Sequence, residues 1–244
     1  MISRHELDSW TTERGLSRRK ALELALEEGI FPEEFECNFP GLSAADQLTL
    51  WRSRVLVIGL GGLGGYQAQL LARAGVGGFC LADGDHFTPS NLNRQLLATA
   101  ETIGQNKALV TVQHLSLINE ALEIKAIPEF LSQGLLQDLL PEVQVVLDAL
   151  DTLVARRELV AAAQAAGVPV VHGAVSGAFG QVTTILPQDQ SAWLFPEAAP
   201  SEAENAPGAL APVVTLTASL QAMEAIRILL GKPGRLETLP LTGI

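Results

Sequence analysis

Cysteine is nearly missing: Cys37 and Cys80 are the only two among 244 residues, and no Cys-x-x-Cys pair accompanies either. That excludes a disulfide framework and a cysteine-built zinc site. The core must come from apolar burial, and a chain of this length that is 48% hydrophobic can supply one for a domain with a small appendage. Aromatics stand at 5% against 22 glycines, a balance that suits an α/β protein with many tight turns and not a β-sandwich. Positive charge is short as well, since 16 Lys and Arg against 27 Asp and Glu leave a formal net charge of -11. Such a surface repels a phosphate backbone, so no nucleic-acid partner is expected. No apolar run reaches spanning length, so no membrane partner is expected either. Residues 1–20 are polar and carry both signs of charge, unlike a signal peptide. A reducing, cytoplasmic location follows as the expectation.

What is present has a rhythm. Residues 1–50 read as a helical preface, followed by one larger domain over 51–244. A helix is expected over 18–28, ended by Gly29, peripheral and with its charged face in solvent. Ser43 with Asp46 forms a capping-box pattern that opens a second short helix and carries Leu50 and Trp51 inward. From Arg54 to Ile58 the chain is aliphatic without alternation, the pattern of a strand buried on both faces. A glycine loop, a helix to Ala74 and a strand from Phe79 to Ala82 complete one βαβ unit. Helices follow over 105–119, 152–166 and 213–230, and strands over 123–127, 143–147 and 168–171. The alternating segment 181–186 is expected to extend the sheet antiparallel, and the Pro- and Ala-rich stretch at about 187–212 to form a long crossover loop. The fold class expected is α/β: a Rossmann-like, mainly parallel sheet with helices on both faces and a short antiparallel extension.

Gly59, Gly61 and Gly64 match G-x-G-x-x-G between a predicted strand and a predicted helix, with Gly62 as a fourth glycine. Backbone N–H groups and a helix N-terminus receive phosphate in that context. Asp83 closes the next strand, where a carboxylate accepts hydrogen bonds from a ribose. These features alone suit a nicotinamide or flavin enzyme as well as an ATP enzyme. The polar stretch that follows, from Asp83 and Asp85 through Ser90, Asn91, Asn93, Arg94 and Gln95, favours ATP. A triphosphate must be held by cations and donors while charge shifts toward pyrophosphate, whereas hydride transfer makes no such demand. Arg94 offers a planar fork, Lys107 a point charge, and Asn91 and Gln95 can orient the same oxygens.

Across residues 53–232 the chain resembles the HesA/MoeB/ThiF group of E1-like adenylyltransferases, the group that includes the catalytic core of ubiquitin-activating E1. The motifs are G-x-G-G-x-G from Gly59, D-x-D at Asp83 and Asp85, S-N-L-N-R-Q from Ser90, G-x-x-K ending at Lys107, D-A-L-D from Asp148, H-G-A from His172 and S-L-Q-A-M-E-A-I from Ser219. The resemblance implies that the glycine loop contacts ATP, Asp83 the ribose, and Asn91, Arg94 and Lys107 the phosphates. It makes Asp151 the acid associated with Mg²⁺ and the triphosphate, with Thr152 in place of the usual asparagine beside it. Arg94, Lys107 and Asp151 are then the catalytic set. The implied reaction is adenylation of the C-terminal carboxylate of a ubiquitin-like sulfur-carrier protein ending in Gly-Gly, by a homodimer. Rival readings are adenylation of a peptide or tRNA-borne carboxylate, a scaffold that binds without turnover, and a nicotinamide oxidoreductase. Asp148 is read as a cap of the next helix, and His86 and His172 as hydrogen-bonded loop or strand-end residues, because an ionised carboxylate nucleophile needs no base.

The chain departs from the group in three places. It has no cysteine after Cys80, so the zinc of many relatives is not expected and ATP and Mg²⁺ are the only cofactors. A thioester-forming cysteine in the crossover loop is likewise missing, so the expected chemistry stops at adenylation. Cys37 stands where relatives carry an arginine that reaches the partner subunit's ATP, with Arg52 or Arg54 as candidate substitutes.

Overall fold

The structure, a computed structural model, describes residues 1–190 and 208–232. Three helices come first: α1 (Arg4–Arg14), α2 (Arg18–Glu27) and α3 (Ala44–Arg52). The domain then runs β1 (Arg54–Ile58), α4 (Gly62–Arg73), β2 (Gly78–Ala82), α5 (Lys107–Ile118), β3 (Glu123–Ile127), α6 (Gln133–Leu139), β4 (Val145–Asp148), α7 (Leu153–Ala165), β5 (Val170–Ser176), β6 (Phe179–Ile185) and α8 (Ala211–Leu229). The six strands form one sheet in the order β3-β2-β1-β4-β5-β6. β1 to β5 pair in parallel, and β6 pairs antiparallel with β5, as the alternation at 181–186 predicts.

Burial on both faces explains the aliphatic strands. Val55 and Val57 of β1 face a core shared with α4, α5 and α8, while Leu56 and Ile58 face a second core built with α6 and α7. That two-sided demand sets register, since a slip of one residue would exchange the faces. Ile58 is consequently level with Ala82 on one side and Asp148 on the other. The loops that leave β1, β2 and β4 therefore emerge together. They do so where the order reverses between β1 and β4, the position at which open α/β sheets carry ligands.

The preface differs from expectation. α2 is not peripheral: Ala21, Leu22 and Ala25 are fully buried in a third core with Leu7, Phe31, Phe35 and Trp51. Its basic residues are also used internally. The Arg19 Nη1 donates to the Gly77 carbonyl at 2.8 Å, and Arg18 pairs with Asp8 and Glu34. This layer sits against the amino ends of the strands, opposite the ligand edge. α1, which hydrophobic periodicity does not reveal because Leu7 is its only buried residue, is started by a capping box between Ser3 and Glu6. The box expected at Ser43 and Asp46 opens α3. Residues 191–207 of the expected crossover loop lie outside the described residues; at its end Gly177 donates to the Gly208 carbonyl at 2.8 Å, and α8 follows with Pro212 in its first turn.

Candidate active site

The three emerging loops enclose a cleft of about 900 Å³. Its floor is the glycine loop. Gly59 has φ +85° and so lies in the left-handed region, and a Cβ there would stand 2.6 Å from the Ala149 carbonyl oxygen. Gly64, in the first turn of α4, packs so closely that a Cβ would overlap the Gly59 carbonyl oxygen. It shapes the loop from behind and does not line the cleft. Gly59, Gly61 and Gly62 do line it. Gly61 is the N-cap of α4 and offers no side-chain cap, which leaves the first amides of the helix open to an anion.

Asp83 sits at the end of β2 with its carboxylate pinned: Oδ2 accepts from the Leu60 N–H at 2.7 Å and Oδ1 from the Asp85 N–H at 2.8 Å. Lone pairs remain on both oxygens for a ligand. Asn106 ties this segment to α5. Its Nδ2 donates to the carbonyls of Asp83 and Asp85 at 3.2 and 3.1 Å, while its Oδ1 caps α5 through the amides of Ala108 and Leu109. Lys107 is held in consequence, and its Nζ meets Asp85 Oδ2 at 3.2 Å. At 7% exposure it is a nearly buried cation that faces the cleft.

Arg94 lines the same cleft and is braced by the Ser90 carbonyl and by Asn93 Oδ1, each at 2.9 Å from Nη1. Gln95 is buried with an Oε1 that has no hydrogen-bond partner, and its amide lies beside Gly61, where a Cβ would stand 3.2 Å from Nε2. Asp151 and Thr152 form the opposite rim. Thr152 is also the N-cap of α7, accepting from the Ala155 N–H at 3.3 Å. Ser90, Asn91 and Asn93 do not line the cleft. Asn91 is buried and its Oδ1 accepts from the Thr88 N–H at 3.0 Å, which closes the turn that carries Arg94.

Asp148 is structural, but it is not a helix cap. Fully buried, it accepts from the Leu150 N–H at 3.0 Å and faces His172 Nδ1 at 2.7 Å, whereas the cap belongs to Thr152. Sequence reasoning missed four lining residues of note. Glu129, Phe130 and Leu131 follow β3, and Arg156 lies in α7. Phe130 is 70% exposed, and an aromatic three residues after the strand's last residue, just past Pro128 and Glu129, was the available signal. Arg156 gave none. Among the described residues no group of three or more His, Cys, Asp and Glu is placed to hold a metal. A cation here would have to share Asp151 with phosphate oxygens and water, the usual arrangement for Mg²⁺. Arg52 pairs with Glu23 and Glu27, and Arg54 with Glu123, all at the amino end of the sheet.

The sheet order, the glycine turn and the ligand edge are those of a Rossmann-like α/β protein. The chain belongs to the ThiF family, whose sequence profile matches residues 35–241. It is 40% identical over 197 residues to the molybdopterin-synthase adenylyltransferase of Escherichia coli (strain K12), covering 78% of each chain. To the sulfur carrier protein ThiS adenylyltransferase of the same organism it is 38% identical over 189 residues, covering 76% of this chain and 75% of the relative. The enzyme class expected from the sequence is thus the one these relatives carry in their names. Among solved structures, E. coli MccB with AMPCPP and MccA superposes with a TM-score of 0.73 at 20% identity, over 89% of this chain and 71% of that one. The E. coli tRNA N6-threonylcarbamoyladenosine dehydratase TcdA gives 0.70 at 23%, over 82% and 95%. These two likenesses are of fold. Among the described residues no helix is long and apolar enough to cross a membrane.

Proposed function

We propose that this chain adenylates the C-terminal glycine carboxylate of a small ubiquitin-like sulfur-carrier protein, consuming ATP and releasing pyrophosphate. One observation carries the reading: Arg94, Lys107 and Asp151, far apart in sequence, line one cleft with the glycine turn and Asp83. The names of the two E. coli relatives supply the carrier class.

The assignment of roles follows the chemistry. Asp83, with its orientation set by two amides, accepts from the ribose. The amides at the start of α4 and the cations Arg94 and Lys107 hold the phosphates, and Lys107 exchanges its Asp85 contact for phosphate. Asp151 would hold Mg²⁺ with the phosphate oxygens, and that ion would neutralise charge on the leaving pyrophosphate. A carboxylate oxygen of the carrier attacks the α-phosphorus, and the bond to the bridging oxygen breaks. No proton moves, and no histidine is among the described residues that line the cleft. We read the preface and the domain as working together in a homodimer.

ATP–pyrophosphate exchange with candidate carriers ending in Gly-Gly is the test. Exchange that depends on the carrier supports the proposal; ATP binding without exchange from any carrier would leave the scaffold reading, and exchange driven by a free peptide would move the substrate class.

A further inference from the structure

Behind the Asp151 rim, on the side of the sheet away from Asp83, three buried charged or ionisable side chains close a ring on the backbone of one residue. Asp148 and His172 are level with each other on neighbouring strands β4 and β5. His172 Nδ1 lies 2.7 Å from Asp148 Oδ2, and Arg156 Nη1 lies 3.4 Å from His172 Nε2. Arginine has only donors, so Nε2 accepts and Nδ1 carries the hydrogen given to Asp148. The ring then closes on Leu150. Its N–H donates to Asp148 Oδ1 at 3.0 Å, and its carbonyl accepts from Arg156 Nε at 3.0 Å and from Nη2 as well. Both polar groups of Leu150 are thereby held by side chains, and Leu150 is the residue directly before Asp151. Gln221 of α8 adds a second fastening, donating to the carbonyls of Asp148 and Val171 at 3.1 Å each.

All three members of the ring are at most 9% exposed, and neither Asp148 nor His172 lines the cleft. An ordinary buried polar cluster would stabilise the whole domain. This one is aimed at the turn whose Ala149 carbonyl leaves no room for a Cβ at Gly59. The sheet order puts Asp83 after β2 and Asp151 after β4, on opposite sides of β1. Asp83 and Asp151 therefore rest on different supports.

We infer that His172 is a positioning residue: by joining Asp148 to Arg156 it fixes Leu150, and through Leu150 it sets Asp151 against the triphosphate. The inference rests on the role proposed above for Asp151. His172→Asn keeps an amide within reach of Asp148 and removes the imidazole contact to Arg156, leaving only the 4.0 Å approach of Arg156 Nε to Asp148 Oδ2.

Calorimetry on the full chain with two probes, AMP and AMPCPP with Mg²⁺, separates the ends of the cleft. For His172→Asn the AMP Kd is expected to stay within about twofold, while the Mg–AMPCPP Kd rises about 10- to 100-fold, the usual loss when support behind a metal-associated ligand is removed. Asp151→Asn should do the same, and the double variant should bind no more weakly than Asp151→Asn alone, because both changes act through one carboxylate. Multiplying effects, an unchanged Mg–AMPCPP Kd in His172→Asn, or equal loss of both ligands would overturn the inference and leave Asp151's role standing. An unchanged Kd in Asp151→Asn would overturn both. If His172→Asn does not fold, His172→Gln, which reaches Arg156 and not Asp148, enters the same cycle; failure of both to fold marks His172 as a general stabiliser and also overturns the inference.

Discussion

At Gly59 an added methyl would meet a backbone carbonyl oxygen at 2.6 Å from a left-handed backbone, with no flexible side chain to give way. Gly59→Ala should therefore cost more than the roughly 1–2 kcal/mol of the backbone conformation alone. Urea unfolding and ATP calorimetry would both register it, and a variant of unchanged midpoint would remove the steric reading of the loop. Lys107 raises a different question, because it is nearly buried yet faces the cleft, with Asp85 as its partner at 3.2 Å. Asp85 is itself over half exposed, so Lys107→Met leaves an anion that water can solvate and the fold should survive. The exchange rate is expected to fall about 10²- to 10³-fold, the cost of removing one preorganised charge-stabilising group. A fall of less than tenfold would take Lys107 out of that group. Much of this was legible in the chain itself: the glycine loop, Asp83, Arg94, Lys107 and Asp151 are named by local motifs. Asn106 and Arg156 were not, since each acts by reaching backbone carbonyls whose location depends on the folded turn.

Elements divide according to how much of their stability is local. The strands β1 and β3 were readable to the residue, because the continuous burial of β1 from Val55 to Ile58 and the alternation of the edge strand β3 up to buried Ile127 are both patterns of five consecutive positions. α6 escaped notice because seven residues are too few to display a helical period. α2 was seen but misjudged: its many charges suggest a solvated face, yet Arg18 pairs with Glu34 of the preface and Arg19 with Glu123 of β3, while its aliphatic stripe is sealed against Trp51. Leu22→Ala should accordingly cost about 2–5 kcal/mol, measurable by urea denaturation, where a peripheral helix would lose under about 0.5 kcal/mol. Cysteine reactivity tests the sheet in the same way. Burial in β2 pushes the Cys80 thiol up, and the thiolate is the reactive form, whereas Cys37 is exposed in the 3-10 turn Glu33–Asn38. Iodoacetamide is expected to label Cys37 in the native protein and Cys80 only after denaturation. Native labelling of a Cys37→Ser variant would contradict the placement of β2.

For the whole molecule, the proposed homodimer predicts a dimer in sedimentation velocity at micromolar concentration, and a monomer with full exchange activity would refute it. The region before the glycine loop bears on this, because Arg18, Arg52 and Arg54 are engaged in ion pairs within the chain and Cys37 is not a cationic side chain that could reach a second cleft. Taken alone, the order of residues was sufficient for the βαβ rhythm, the phosphate-ready turn and the acid after β2, since turn chemistry, capping and strand burial act within about a dozen neighbours. Folding decided which polar side chains meet. Lys107 and Asp85 stand 22 positions apart and His172 and Asp148 stand 24 apart, and each pair forms only after the chain returns to the sheet edge. Burial of β1, β2, β4 and β5 on both faces leaves one register open to each strand, and that register aligns strand ends whose meeting no local pattern encodes.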